Sequence, residues 1–400
     1  MIKKIHLKNF FSFKEQEISL RDNNFVIGIN GSGKSNFLKA FQILKATITE
    51  GELENLIVNK WGGFDAIHYS GATDERNPMF ALDFEFDEEV LSKYGYHFVE
   101  PLFYELAINK VAGTQNFTIR ECLTTRTVEP RPKHKYVYLQ ANRGKGMAKE
   151  GDPSSQHNVE YVLENSSDSM LSQLVDKDRY YQIYTVRRAI ADISIYTYFD
   201  TTERSPIRKP AMPAGISKLL PDGGNLPQLL NWIKINNKTD YRKLAESLHA
   251  VNPMISGFDF NPLGANIELL LEEDKLNRSV HVTHVSDGTL RFLCLMSIIH
   301  NSKRGSLVII DEPEVGMHPD MIVELMQAID TVNESTQFIM TSHSDIVLNQ
   351  TSVDKILVFE KDEDNSTEVT TFKDEEFVKW ASDYSVGNLW RNGDLGGNRF

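Results

Sequence analysis

Eight residues, Gly28-Ile29-Asn30-Gly31-Ser32-Gly33-Lys34-Ser35, have the types and spacing needed to hold a chain of phosphates. They fit the pattern G-x-x-x-x-G-K-[ST], whose glycines let the backbone curl so that successive N–H groups point at phosphate oxygens. Lys34 is expected to reach the β- and γ-phosphates and the Ser35 hydroxyl to ligate Mg²⁺. Asn30, Gly31, Ser32 and Asn36 complete the expected cradle. Asp311 and Glu312 are adjacent carboxylates at the end of an apolar run. Asp311 suits Mg²⁺, in part through water, because Mg²⁺ keeps part of its hydration shell. Glu312 suits polarisation of an attacking water as general base. His343 ends a second apolar run and can donate to a γ-phosphate or to that water. Ser286-Asp287-Gly288 precedes an apolar helix, with Ser286 at the N-cap; its hydroxyl and the Gly288 backbone form a second anion site. The chemistry expected is ATP binding and hydrolysis with Mg²⁺. Two phosphate-binding helix ends in one chain imply two chains meeting around shared ATP.

These groups need particular elements to hold them. Phe25-Val26-Ile27 reads as a buried strand and Asn36 to Thr49 as a helix, with Phe37, Leu38, Phe41, Ile43 and Leu44 at helical spacing. Leu307 to Ile310 and Phe338 to Met340 read as core strands that deliver their acids and histidine at the carboxyl end, where α/β sheets keep their ligand chemistry. Ile2 to Leu7 and Glu17 to Leu20 are expected strands with a turn over Asn9 to Phe13. Phe80 to Phe86 alternates strictly, and Tyr104 to Lys110 and Phe117 to Leu123 extend it into an antiparallel sheet. Gly62-Gly63-Phe64-Asp65 reads as a turn or loop. Prolines and glycines such as Pro130, Pro132, Gly144 and Pro153 break up the segment from about 124 to 235, within which Met170 to Ile195 is helical or mixed. Helices are expected over Leu226 to Ile235 and Asp240 to Val251, the latter with Asp240 as N-cap and Pro253 beyond its end. Ile267 to Leu271 and Val280 to Val285 read as a hairpin. The expected division is a head from 1–115 and 251–400 and an inserted, mainly helical lobe from 116–250.

The 400 residues carry a net charge of −13, which argues against a protein that coats nucleic acid non-specifically. The charge is uneven. Arg120 to Lys149 holds eight Lys/Arg against two Asp/Glu, and Gln350 to Phe400 six against eleven. Arg131, Lys133, Lys135, Arg143 and Lys145 are the candidates for a phosphate-backbone contact, against the plainer reading of a solvated loop. Cys122 and Cys294 form no C-x-x-C pair, which leaves no disulfide framework or zinc site and suits a reducing compartment. Met1 to Phe10 has no apolar core of signal-peptide length. Leu290 to Ile299 is interrupted by Arg291 and too short to span a bilayer. The expected location is the cytoplasm, with no membrane partner.

The four blocks in this order resemble the ATP-binding-cassette ATPase heads of the RecF/SMC type. Gly28–Ser35 is similar to the Walker A loop, Ser286-Asp287-Gly288 to the signature, Leu307–Glu312 to Walker B and His343 to the switch histidine. Glu314 to Pro319 and Ile5 to Phe13 are similar to the segment after Walker B and to the first strand and turn, which in the family lies near the adenine. Gly62 to Ile67 and the ending Leu389-Trp390-Arg391 … Leu395-Gly396-Gly397-Asn398 resemble small bacterial AAA-type ATPases related to the ATPase half of the OLD family. The resemblance implies a P-loop NTPase of α/β class, with a mixed central sheet flanked by helices and an antiparallel β subdomain. It implies an ATPase switch that forms a homodimer or higher oligomer around two ATP. Such a switch controls a nucleic-acid-linked or effector activity in phage defence or DNA maintenance, with a separate nuclease or effector subunit and DNA or RNA as partners. Two alternatives stand beside it. One is an ATP-binding scaffold of negligible turnover that holds a toxin or nuclease subunit. The other is a transporter ATPase subunit, which the long gap from phosphate loop to signature disfavours. The chain departs from the family in three ways. Asp287 and Thr289 stand where the signature has a second glycine and often glutamine, and Asp287 is expected to weaken closure of the ATP sandwich. No Q-loop glutamine follows the Walker A helix, and too little chain follows His343 for the TOPRIM nuclease of OLD proteins.

Overall fold

Four apolar residues in a row, Leu307 to Ile310, are buried together only where both faces of their strand are covered. The computed structural model describes residues 1–73, 76–126, 135–151, 156–275, 277–332, 336–372, 374–381 and 384–396, and it covers both faces. In chain order the strands are β1 (Ile2–Phe10), β2 (Phe13–Ser19), β3 (Asn23–Ile27), β4 (Met79–Phe86), β5 (Leu102–Lys110), β6 (Phe117–Arg126), β7 (Lys135–Asn142), β8 (Lys145–Glu150) and β9 (His157–Val162). They continue as β10 (Ser194–Tyr196), β11 (Ile255–Leu263), β12 (Asn266–Glu273), β13 (Val280–His281), β14 (Leu307–Ile310), β15 (Gln337–Thr341), β16 (Ile356–Lys361) and β17 (Thr367–Thr371). A six-stranded sheet runs β10-β14-β15-β3-β16-β17, its first five strands parallel and β17 antiparallel to β16.

Successive side chains of these parallel strands point into two different cores. Val26, Leu307, Ile309, Ile339 and Phe359 pack with the helix Lys34–Ala46 and a large antiparallel sheet. Phe25, Ile27, Val308, Ile310, Phe338 and Met340 pack with the helices Leu226–Asn236, Asp287–Ile299 and Pro319–Thr331. The phosphate-loop helix and the signature helix therefore lie on opposite faces of one sheet. Parallel pairing also brings the carboxyl ends of β3, β10, β14 and β15 to one edge, with Ile310 beside Met340 and Met340 beside Phe25.

The antiparallel sheet has the order β2-β1-β4-β5-β6-β7-β8-β9. The expected pairing of 104–110 with 80–86 is present, from Met79 opposite Asn109 to Phe86 opposite Leu102, and β6 joins β5 on its other side. Several boundaries differ from expectation. Pairing of β1 with β2 keeps Asn9, Phe10 and Phe13 in strand, so the turn is confined to Phe11-Ser12. The Gly62-Gly63 turn leads at once into a one-turn helix, Phe64–Ile67. Among the described residues the helical part of the 116–250 insertion starts only at Met170, because β6 to β9 before it extend the antiparallel sheet. Asn237 caps the helix Lys238–Val251, its side chain accepting the Asp240 N–H at 3.1 Å. Asp240 lies in the first turn instead, where its carboxylate accepts from the Asn237 amide at 2.7 Å and the Ser302 N–H at 2.8 Å. The expected 267–285 hairpin is mostly β12 paired with β11; β13 has two residues, and Val282–His284 is a 3-10 turn.

Candidate nucleotide site

Gly28, Gly31 and Gly33 have φ values of 146°, 84° and 110°, the left-handed half of φ space in which a side chain is strained. At Gly28 and Gly33 the surroundings close in as well. A Cβ on Gly28 would lie 2.2 Å from the Phe359 carbonyl, and one on Gly33 would lie 2.4 Å from Thr367 Oγ1 and 2.7 Å from Ser12 Oγ. The loop is pinned from outside its own motif. Thr367 Oγ1 donates to the Ser32 carbonyl at 2.7 Å and is 2.8 Å from Ser12 Oγ, which accepts the Asn36 amide at 3.1 Å. A Gly28→Ala variant is expected to lose about 2 kcal/mol or more of stability through this crowding, measured by chemical denaturation.

Lys34 opens the helix Lys34–Ala46 and folds back over the loop, its ammonium donating to the Gly28 carbonyl at 2.8 Å and the Ile29 carbonyl at 3.0 Å. Burial lowers its pKa, opposed by the nearby Glu312, Asp311 and Glu314 carboxylates. Asp311 follows β14, and burial raises its pKa, reinforced by Glu312 and opposed by the Thr341 hydroxyl, Lys34 and His343. Thr341 at the end of β15 donates from its hydroxyl to Asp311 Oδ1 at 2.5 Å and accepts the Glu312 N–H at 2.9 Å. Glu312 has φ 45°, unusual for a residue with a Cβ, and is held on its other side by Arg291 Nη2, which donates to its carbonyl at 3.2 Å. Its carboxylate is 3.1 Å from His343 Nε2. Burial lowers the His343 pKa, with Lys34 adding to the effect and the Glu312, Glu314 and Asp311 carboxylates opposing it, and a proton on Nε2 is placed to be donated to Glu312. Glu314 fixes the start of the histidine turn, Oε1 accepting the Ser342 hydroxyl and the His343 N–H, each at 2.8 Å.

Lys34, Asp311, Glu312 and His343 thus gather around the phosphate loop. The donor set fits a nucleotide triphosphate with Mg²⁺. The Ser32 hydroxyl is buried with no partner. Among the described residues no cluster of three His, Cys, Asp or Glu could hold a metal ion by itself. Ser286 and Gly288 stand apart. Ser286 is exposed and caps the helix Asp287–Ile299, its hydroxyl accepting the Thr289 N–H at 3.1 Å. A Cβ on Gly288 would lie 2.6 Å from the Gly316 carbonyl, so this glycine sets how closely the signature packs on the turn after Walker B.

Sequence reading missed Ser12, Thr341, Thr367 and Arg208, and gave Arg291 and Glu314 no role. Arg291 had a signal, a single charge inside an apolar helix. Arg208 Nη2 pairs with Asp287 Oδ1 at 2.6 Å and had none. The position beside Walker B is held by β10, whose Tyr196 carbonyl accepts the Asp311 N–H at 2.9 Å; Thr197 and Tyr198 follow, without a glutamine. In the basic stretch, Lys135 is 3.8 Å from Glu105, and Arg143 and Lys145 sit at the β7–β8 turn, while Arg131 and Lys133 lie outside the described residues, as do Gly397 and Asn398.

Two solved structures are similar to this chain in fold. The SmcHead bound to the C-winged helix domain of ScpA is 13% identical, with 94% of this chain and 99% of that chain covered at a TM-score of 0.58. The Smc head domain with an extended coiled coil bound to the C-terminal domain of ScpA, derived from Pyrococcus furiosus, is 13% identical, with coverage of 96% and 98% and a TM-score of 0.53. No curated protein matches the chain. Residues 160–349 match a family described as an AAA domain, putative AbiEii toxin, Type IV TA system. Residues 1–209, more than half of the chain, match the AAA ATPase domain, and with the fold of an SMC head the chain belongs to that AAA ATPase family.

Proposed function

We propose that this chain is an ATP-hydrolysing switch, in which two heads close around two ATP molecules and each Ser286 completes the partner's site. The observation that carries this reading is the placing of the phosphate-loop helix and the signature helix on opposite faces of one sheet. One chain then offers a nucleotide cradle on one side and an exposed anion-binding helix end on the other. In the cradle, the loop N–H groups and Lys34 bind the phosphates. Ser35 and Asp311 would hold Mg²⁺, which would supply charge neutralisation on the phosphate oxygens. Glu312 takes a proton from the attacking water as the water oxygen bonds to the γ-phosphorus and the bond from that phosphorus to the β–γ bridging oxygen breaks. His343 donates to the Glu312 carboxylate at 3.1 Å and holds it in orientation.

The output of the switch is a nucleic-acid-linked or effector activity carried by a separate subunit, in phage defence or DNA maintenance. The match to a putative AbiEii toxin family and the ScpA-bound state of the SMC heads support a role through partners. No helix among the described residues is long and apolar enough to cross a membrane. The Glu312–His343 pair favours turnover over a scaffold that only binds ATP. A Ser286→Arg variant is expected to bind ATP as a monomer with unchanged affinity and to lose ATP-dependent dimerisation in sedimentation velocity. Full dimerisation by that variant removes the signature from the interface.

A further inference from the structure

We propose that Arg208 is a positioning residue for the ATP site of a second copy of this chain, holding the turn Val282–Asp287 in the form that offers Ser286 across the dimer. This deepens the sandwich reading and rests on it. Arg208 ends the 3-10 turn Pro206–Arg208, which Ser205 caps by accepting the Ile207 N–H at 3.2 Å. Its side chain is 6% exposed, and its guanidinium bonds chiefly to the turn that leads into the signature and to Asp287 within it. Nη1 donates to the Val282 and Val285 carbonyls, each at 2.8 Å, with the Thr283 carbonyl at 3.3 Å. Nη2 donates to Asp287 Oδ1 at 2.6 Å, and Nε to the Thr201 carbonyl at 3.0 Å.

Two consequences follow from this grip. Carbonyls from three residues of one short turn converge on a single cation, which fixes the turn that presents Ser286 as the cap of the helix Asp287–Ile299, whose first-turn donors have no carbonyl partner inside the helix. The carboxylate of Asp287, exposed and beside that helix end, meets a fixed positive charge before it meets a phosphate. The sequence departure that threatens sandwich closure is therefore offset within the same chain. Lysine substitutes only in part, because a compact ammonium lacks the planar fork that reaches carbonyls and a carboxylate together. The strap that carries Arg208 starts at β10, whose Tyr196 carbonyl accepts the Asp311 N–H at 2.9 Å. One segment thus touches the chain's own Walker B end and the signature it lends to the other copy.

The test uses the full chain with Glu312→Gln, ATP and Mg²⁺, and reads dimerisation by sedimentation velocity and monomer affinity with a fluorescent ATP analogue at low protein concentration. Arg208→Ala is expected to weaken ATP-dependent dimerisation by about tenfold or more, the scale set by stranded buried acceptors, with monomer affinity for the nucleotide unchanged. Arg208→Lys keeps the stem and the charge, so it preserves folding, and is expected to weaken dimerisation by about threefold. Unchanged dimerisation in both variants, or equal losses of nucleotide affinity and dimerisation, overturns the proposal. A Glu312→Gln parent that stays monomeric with ATP overturns the sandwich reading itself, and the role of Arg208 with it.

Discussion

Lys34→Ala is expected to lower ATP affinity by about 100-fold or more while leaving the fold intact. The magnitude follows from the surroundings. Hydrogen bonds from a charged donor contribute about 1.5–3 kcal/mol each, and the ammonium has the reach to replace its two carbonyl partners with phosphate oxygens. Its loss also uncovers a repulsion, since Asp311, Glu312 and Glu314 all act on Lys34, and without it these acids face the phosphates with one cation fewer between. The fold should tolerate the change because the ammonium holds only two carbonyls of its own loop, and burial already disfavours its charge. Calorimetric titration with ATP and Mg²⁺ beside a thermal unfolding curve checks both halves. Unchanged affinity in a folded variant removes Lys34 from its assigned role.

Whatever depends on neighbours in sequence was legible. Phe25 to Thr49 spells strand, loop and helix consecutively, and Asp311, Glu312 and His343 stand at the ends of apolar runs that parallel pairing brings to one edge. The antiparallel strands β4 to β6 were legible from alternation. β7 to β9 were not, because charged and small residues such as Lys145, Gly146 and Lys149 dilute the period. β10 is too short, at three residues, to leave a pattern. The supports of the site were hidden for a different reason. Thr367 secures the Ser32 carbonyl and Thr341 secures Asp311 by contacts across the fold, and a hydroxyl at a strand end looks the same in sequence whether or not it meets a partner. Asp287 was read as a liability because its neutralising partner, Arg208, lies in a proline-broken stretch with no pattern of its own.

The roles of the three acids near Lys34 can be told apart by one isosteric change. Glu312→Gln is expected to cut the rate of phosphate release at saturating ATP by about 100-fold or more, the range for loss of a general base. ATP affinity should hold, since Lys34 and the loop are untouched. The local structure should hold too: the Glu312 backbone stays fixed by Thr341 and Arg291, and the amide oxygen of glutamine can still accept from His343. What disappears is a site for the proton of the attacking water. Asp311 is less suited to that part, since its Oδ1 accepts the Thr341 hydroxyl and it would hold Mg²⁺, and Glu314 is turned away onto Ser342 and the His343 N–H. Glu314→Gln should therefore slow turnover less than Glu312→Gln, because it loosens the histidine turn without removing the base. A Glu312→Gln enzyme that still hydrolyses ATP at the parent rate would move the base elsewhere. The same variant, stalled with ATP bound, should accumulate as the dimer, because the step that reopens the heads is the one it cannot complete.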